Sequence, residues 1–303
     1  MKSVKHSNKW LIKGLAGLLA FAMWGSIRAQ MLLPEQAIDL ELELLFNASF
    51  IKEHRIQKIE GKFSQKRDNE PIYPLPGKLQ IEFDTHGEFK SFLRIEKIGS
   101  RLDTTHIVIH DLDGFQVTSE KDGVGYITSM KKEFGDTLVT RAFRLPSLAE
   151  KIKASLWENE LFWSYEEREI IKQRGQIERK EHINVIDLPY KTTTTRKNIL
   201  GYIEQRESTF KITHRKEKET LSYNEFGRLA KIEKFKNGNP KWATEFKYED
   251  HQNLNQWDHW KREKQHSHTE VVYDDSGMVE GLVNLYLATG RMLIAKYNYT
   301  FFP

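Results

Sequence analysis

A chain of 303 residues without a single cysteine can hold neither disulfides nor thiolate–metal centres, so its stability must come from a packed core. Its formal charge of +4 reflects 47 basic and 43 acidic residues, yet residues 1–29 carry five of the basic ones and no acid, leaving 42 against 43 beyond them. That balance gives no electrostatic footprint for nucleic acid or for an anionic membrane surface.

In chain order, the first thirteen residues contain Lys2, Lys5, Lys9 and Lys13, and an apolar run of 14 residues follows from Gly14 to Ile27. A basic stretch ahead of an apolar run of about 7–15 residues is the pattern of a secretory signal peptide. The run is short of the roughly 17–25 residues that span a bilayer, which argues against an uncleaved anchor. Cleavage is expected after Ala29, and no cysteine follows that could be lipidated. The expected destination is therefore extracytoplasmic: periplasm, cell surface or medium.

Residues 30–55 predict an amphipathic helix that caps the first strands. Pro34 suits a first helical position, and Ile38, Leu42, Leu45 and Phe46 form a stripe at helical spacing opposite Glu35, Asp39, Glu41 and Glu43. Residues 56–145 read as a first β-block. A helical connector is expected over 146–166, with Ser147 as N-cap and Glu150 three places on. A second β-block fills 167–303.

Both blocks carry one recurring pattern: an aromatic or apolar residue, a turn-former, two variable positions, glycine, any residue, then an apolar residue. It is clearest at Tyr223-Asn224-Glu225-Phe226-Gly227-Arg228-Leu229 and Tyr273-Asp274-Asp275-Ser276-Gly277-Met278-Val279. Fainter copies surround Gly87, Gly114, Gly175 and Gly201, and a degenerate one places Gln252 in the glycine slot. The spacing is regular: Gly175 to Gly201 is 26 residues, Gly201 to Gly227 another 26, and Gly227 reaches Gly277 through Gln252 in two steps of 25. Asp or Asn bonding its own backbone, with glycine in the left-handed region three residues later, is a hairpin turn with a bulge. The flanks alternate at period two, as in Trp242, Thr244, Phe246 and Tyr248, or Leu293, Ala295, Tyr297, Tyr299 and Phe301. The fold class that follows is mainly all-β, an antiparallel meander of hairpins, two strands to each unit of about 25 residues.

The Tyr273-Asp274 pair, the Gly227-Arg228-Leu229 run and the 25-residue period resemble the YD-repeat family, the RHS-type tyrosine–aspartate repeats of secreted bacterial proteins. The resemblance is good over about residues 167–303 and weak over 56–145. It implies fold and export, and it carries no activity. A second, shorter resemblance covers about thirty residues: the helix of 34–54 followed by Ile59-Glu60-Gly61-Lys62-Phe63-Ser64-Gln65 and Gly77-Lys78-Leu79 looks like the opening of the lipoprotein-carrier fold. It would imply a periplasmic carrier of lipid or lipoprotein, which needs a hydrophobic cavity.

No motif for nucleophilic catalysis, metalloprotease chemistry or phosphate binding is present. Carboxylate pairs such as Asp111/Asp113 and Asp274/Asp275 fall on turns, where turn geometry accounts for them. His106 and His110 share a strand face, as do His266 and His268 beside Glu270, but spacing fixes no further ligand and no metal is expected. Trp257 and Trp260 could stack on sugar rings, and the simpler expectation buries Trp260 with Leu254 while Trp257 caps an edge. The charge runs at 166–181 and 215–219 read as solvated strand faces. The reading from sequence is an exported, non-enzymatic binding or structural protein without a cofactor, its partner a protein or polysaccharide, with the carrier as alternative and a hydrolase as remainder. Trp257, Trp260, His266 and His268 are its candidate surface contacts.

Overall fold

A computed structural model describes residues 30–34, 46–98, 101–110, 114–121, 124–132, 137–145, 165–249 and 253–303; between 96 and 166 it describes strand pairing and, of the side chains, only Val139. The described chain is mostly antiparallel β-sheet with very little helix. One short helix, α1 (Ala48–Glu53), precedes β1 (Ile56–Lys66), β2 (Tyr73–Pro74), β3 (Gly77–Phe83), β4 (Phe89–Ile98), β5 (Arg101–His110), β6 (Gly114–Lys121), β7 (Val124–Lys132) and β8 (Thr137–Leu145). Then come β9 (Tyr165–Arg174), β10 (Ile177–Ile183), β11 (Pro189–Lys197), β12 (Ile203–Phe210), β13 (Lys216–Tyr223) and β14 (Leu229–Lys236). The last five are β15 (Asn239–Glu249), β16 (Asn253–Lys261), β17 (Lys264–Tyr273), β18 (Val279–Tyr286) and β19 (Arg291–Phe301).

From β3 to β19 each strand pairs with the next, so the meander expected from the repeat is found. The two β-blocks share one sheet, because β8 pairs with β9 from Thr137↔Ile170 to Ala142↔Tyr165. The first strand joins the first and last parts of the meander: β1 pairs with β19 from Ile56↔Phe301 to Lys66↔Met292, and with β3 from Lys58↔Glu82 to Gly61↔Leu79. Its ladder with β3 is short, and no local signal in the sequence announces either partner.

The turns explain the period. Asp84, Asn184, Asn198, Asn224 and Asp274 each accept two backbone N–H groups on Oδ1, from the residues two and four places on, at 2.8–3.2 Å. The fourth position takes positive φ at Gly87, Gly201, Gly227 and Gly277, and at Asp187 in the copy the sequence pattern missed. A register shift follows each of these turns, as at Ser222/Tyr223 and Val272/Tyr273, so the expected bulge is present. Gly87 has a second reason to be glycine: a Cβ there would lie 2.1 Å from the Ala48 carbonyl oxygen, so this turn abuts α1.

Three expectations change. Gly175 stands in a two-residue reversal between Arg174 and Ile177 and not in an asparagine- or aspartate-bonded turn. Gly114 opens β6 opposite His110, while its turn residues 111–113 lie outside the described residues. The helix expected over 30–55 is interrupted: Leu32 bridges to Phe46, and Asn47 then caps α1 by accepting the Ser49 N–H at 3.0 Å. A capping side chain with extended backbone breaks a helix that runs through it. Residues 35–45, with most of the predicted stripe, lie outside the described residues, as does the connector up to 164; Tyr165 and Glu166 belong to β9.

The main core gathers Met31, Phe46, Phe50 and Ile51 from the N-terminal segment against Ile56, Ile59, Leu79, Ile81, Phe83, Leu254, Val271, Val279, Ala295 and Tyr297. A smaller cluster of Leu221, Leu229 and Ile232 continues it along the sheet. The opposite face is charged, with pairs such as Lys58–Glu60, Lys231–Glu245 and Lys296–Glu280 at 3.2–3.5 Å. No helix among the described residues is long and apolar enough to cross a membrane.

Candidate functional site

The register assigns side chains to faces strand by strand. Pairing runs Thr193↔Ser208, Thr195↔Arg206, Arg206↔Glu219, Glu219↔Lys234, Lys234↔Trp242 and Thr244↔His259, so these residues share the face that bears the core. That face is divided along the strands. Near the end where the Asp84, Asn198, Asn224 and Asp274 turns lie, it is apolar, and its main core is shared with Phe50 and Ile51 of α1. Toward the other end it carries ionisable and aromatic groups.

The apolar part is stitched by tyrosines. Tyr223, Tyr248 and Tyr273 donate their hydroxyls to the carbonyls of Ile203, Leu229 and Leu254 at 2.7–2.8 Å, and Tyr299 donates to the Val279 carbonyl. Each acceptor is the apolar residue that ends the preceding copy of the repeat, so the first and last positions of the pattern bond across copies. Burial pushes the Tyr273 and Tyr299 hydroxyls well above the usual phenol range.

In the polar part, Glu219 is buried between Arg206 at 3.4 Å and Lys234 at 2.9 Å. Lys234 lies 4.6 Å from the Trp242 ring, whose neighbour at 5.3 Å is the His259 ring. The Thr244 hydroxyl meets His259 Nδ1 at 2.9 Å, and His266 stands beyond, 6.5 Å from His259 and 6.1 Å from Tyr286. Trp242, His259 and His266 join Lys241, Lys261 and Arg262 around an open cleft of about 330 Å³ with no carboxylate in its lining. Burial lowers the His259 pKa, and His266 and Lys261 add to the effect. A cleft of three fixed cations and three aromatic rings can hold an anion and stack a ring.

A second cluster lies on β9 and β10. His182, 5 % exposed, holds Nδ1 at 2.7 Å from Glu167 and 3.2 Å from Glu169, and Nε2 at 3.0 Å from the Thr193 hydroxyl. Burial works against the imidazolium, but the bonds to Glu167 and Glu169 outweigh it and His182 is raised. The bond to His182 lowers Glu169 against its own burial.

The residues singled out from sequence fall in different places. Trp257 packs against the main core, and Leu254 lies in that core, while Trp260 pairs with Ala243 and turns to the opposite face. The expectation that buried Trp260 with Leu254 is reversed, because the shift at Lys247/Tyr248 changes the parity of β16. His266 does not share the face of His268 and Glu270. A shift at His259/Trp260 turns His266 toward the cleft, and His268 bonds Asp258 at 2.7 Å and Glu270 at 3.2 Å. Of His106 and His110 only the β5 backbone is described. The sequence reading missed Glu167 and Glu169 by treating the run 166–181 as solvated and did not single out His182 just beyond it; a two-residue turn at Gly175-Gln176 sets Glu169 opposite His182.

No protein-family model matches the chain, and no curated protein does. Among solved structures, similarity is found to a porin-like protein from Bacteroides uniformis, at 11 % identity and a TM-score of 0.40, covering 82 % of this chain and 97 % of the other. A porin-like protein from Bacteroides vulgatus aligns at 10 % identity and a TM-score of 0.32, covering 79 % and 97 %. A LolA-superfamily protein from Nitrosomonas europaea aligns at 9 % identity and a TM-score of 0.18, covering 84 % and 92 %.

Proposed function

We propose that this is an exported, non-enzymatic β-repeat protein that binds an anionic carbohydrate in the cleft of Trp242, His259, Lys261, Arg262 and His266. The observation that carries the reading is a cleft on the core face with cations and rings in its lining and no carboxylate. Rings stack on sugar faces, and fixed cations favour acidic sugars over neutral ones. Export rests on the basic and apolar pattern of residues 1–29. Kinship with the YD repeats is supported by the tyrosine bonds that link successive copies.

The test is calorimetric titration with polygalacturonate and, as the neutral control, dextran. Binding of polygalacturonate alone, weakened at least about tenfold by Lys261→Glu, is the expected result. Equal affinity for both polymers, or indifference to Lys261→Glu, would end the proposal.

The lipid-carrier alternative draws on the apolar part of the same face. There Met31, Phe50 and Ile51 of the chain itself occupy the surface a lipid would need. A carrier must therefore release this segment, and a fluorescent acyl probe that displaces it would favour the alternative over the carbohydrate reading.

A further inference from the structure

We propose that Glu167, Glu169 and His182 form a binding site for one divalent transition-metal ion, separate from the cationic cleft. One nitrogen and two carboxylate oxygens from these residues all lie within 4.8 Å of one another. They come from two adjacent strands joined by a two-residue turn, with Glu169 directly opposite His182, so the donors are set in place by the hairpin. An imidazole nitrogen with carboxylate oxygens suits zinc and its neighbours in the first transition row, and three protein donors leave a position open for water or an anion.

The surroundings of His182 are those of a metal ligand. Its Nε2–H can donate to the Thr193 hydroxyl at 3.0 Å, and Thr193 is tied at 3.0 Å to Ser208. That chain fixes the ring and turns Nδ1 toward the two carboxylates, which is how a second layer of hydrogen bonds orients a ligating histidine. A charge of +2 at this point answers both carboxylates, where a proton on Nδ1 answers one. The donor contacts of 2.7 and 3.2 Å would open to roughly 3.4 Å, the edge of a tetrahedron with bonds of roughly 2.0–2.2 Å.

The full chain, stripped with a chelator, is titrated with Co2+ and followed by visible absorption, with Zn2+ as competitor. One Co2+ per chain, displaced by Zn2+, is expected. Glu169→Gln keeps the shape of the side chain and should weaken binding at least about tenfold; Thr193→Val, which loosens the ring without removing a donor, should cost about tenfold. His182→Asn should abolish the cobalt spectrum, and if that variant does not fold, Glu169→Gln decides. Absence of stoichiometric Co2+ binding, or binding unchanged in Glu169→Gln, overturns the proposal. Lys261→Glu, which tests the carbohydrate cleft, should leave the cobalt titration as it is, so the two readings can fail independently.

Discussion

The same strands build two unlike layers on one face. Toward the end with the Asn224 and Asp274 turns, β13 and β14 contribute the small cluster of Leu221 and Leu229, and β17 to β19 contribute Val271, Val279 and Tyr297 to the main core that Met31, Phe50 and Ile51 complete. Toward the other end, β12 to β17 contribute Arg206, Glu219, Lys234, Trp242, His259 and His266. The first layer is held by loss of water from apolar surface, which asks only for volume and shape. The second is held by paired charges and rings, whose removal from water is offset only while every partner is present. Stability is therefore expected to reside in the first layer and binding in the second.

The sharpest test of that division is a cavity in the apolar layer. Ile59→Ala removes a fully buried side chain and should cost about 2–5 kcal/mol in denaturant unfolding. Polymer binding by the folded fraction should not change. If Ile59→Ala costs less than Glu219→Gln, the assignment of stability to the apolar layer is wrong. Glu219→Gln should itself cost about 1–3 kcal/mol, because it leaves Arg206 and Lys234 facing a neutral amide. It should also disturb the cleft, since Lys234 lies over Trp242. The tyrosine bonds belong to the first layer but act through polarity. Tyr273→Phe keeps the ring and removes the hydroxyl that meets the Leu254 carbonyl, for an expected loss of about 0.5–1.5 kcal/mol. A neutral result would mean that the ring alone, and not the bond between copies, accounts for the repeated tyrosine.

What could be read from the sequence follows the range of the interactions. The Asp84, Asn198, Asn224 and Asp274 turns were legible because an Asx bond and a left-handed glycine act within five residues. Alternation held along single strands, as at Trp242, Thr244, Phe246 and Tyr248. It failed wherever a bulge changed parity, which misplaced Trp257, Trp260 and His266. Glu167, Glu169 and His182 were not legible, since the repeat pattern put a longer turn at Gly175 and the charge run over 166–181 looks solvated until its strands are paired. The partners of β1 were beyond reach: its ladder with β19 joins residues more than two hundred positions apart, and nothing local encodes it.

The smallest expected effect tests the outer face, where Asp258 joins His268 at 2.7 Å and Lys247 at 3.2 Å. Burial raises Asp258, but the bonds from His268 and Lys247 prevail and hold it below the usual 3.8. The bond that His268 donates to Asp258 leads the causes that lift His268 above the usual 6.5. A depressed carboxylate contributes stability above its unfolded pKa and loses it as pH falls through the folded one. A raised histidine contributes below its unfolded pKa and loses it as pH rises through the folded one. The pair should thus be strongest between pH 3.8 and 6.5 and fade on the alkaline side as His268 releases its proton. His268 is 24 % exposed, so the gain is bounded by the roughly 1 kcal/mol of a solvent-screened pair. In melting curves between pH 5 and pH 9, His268→Asn should remove part of the alkaline decline and leave polymer binding as it was; a decline of unchanged slope would assign it to other groups. A change in polymer binding would tie the outer face to the cleft and undo the separation between the layer that holds the fold and the layer that meets the ligand.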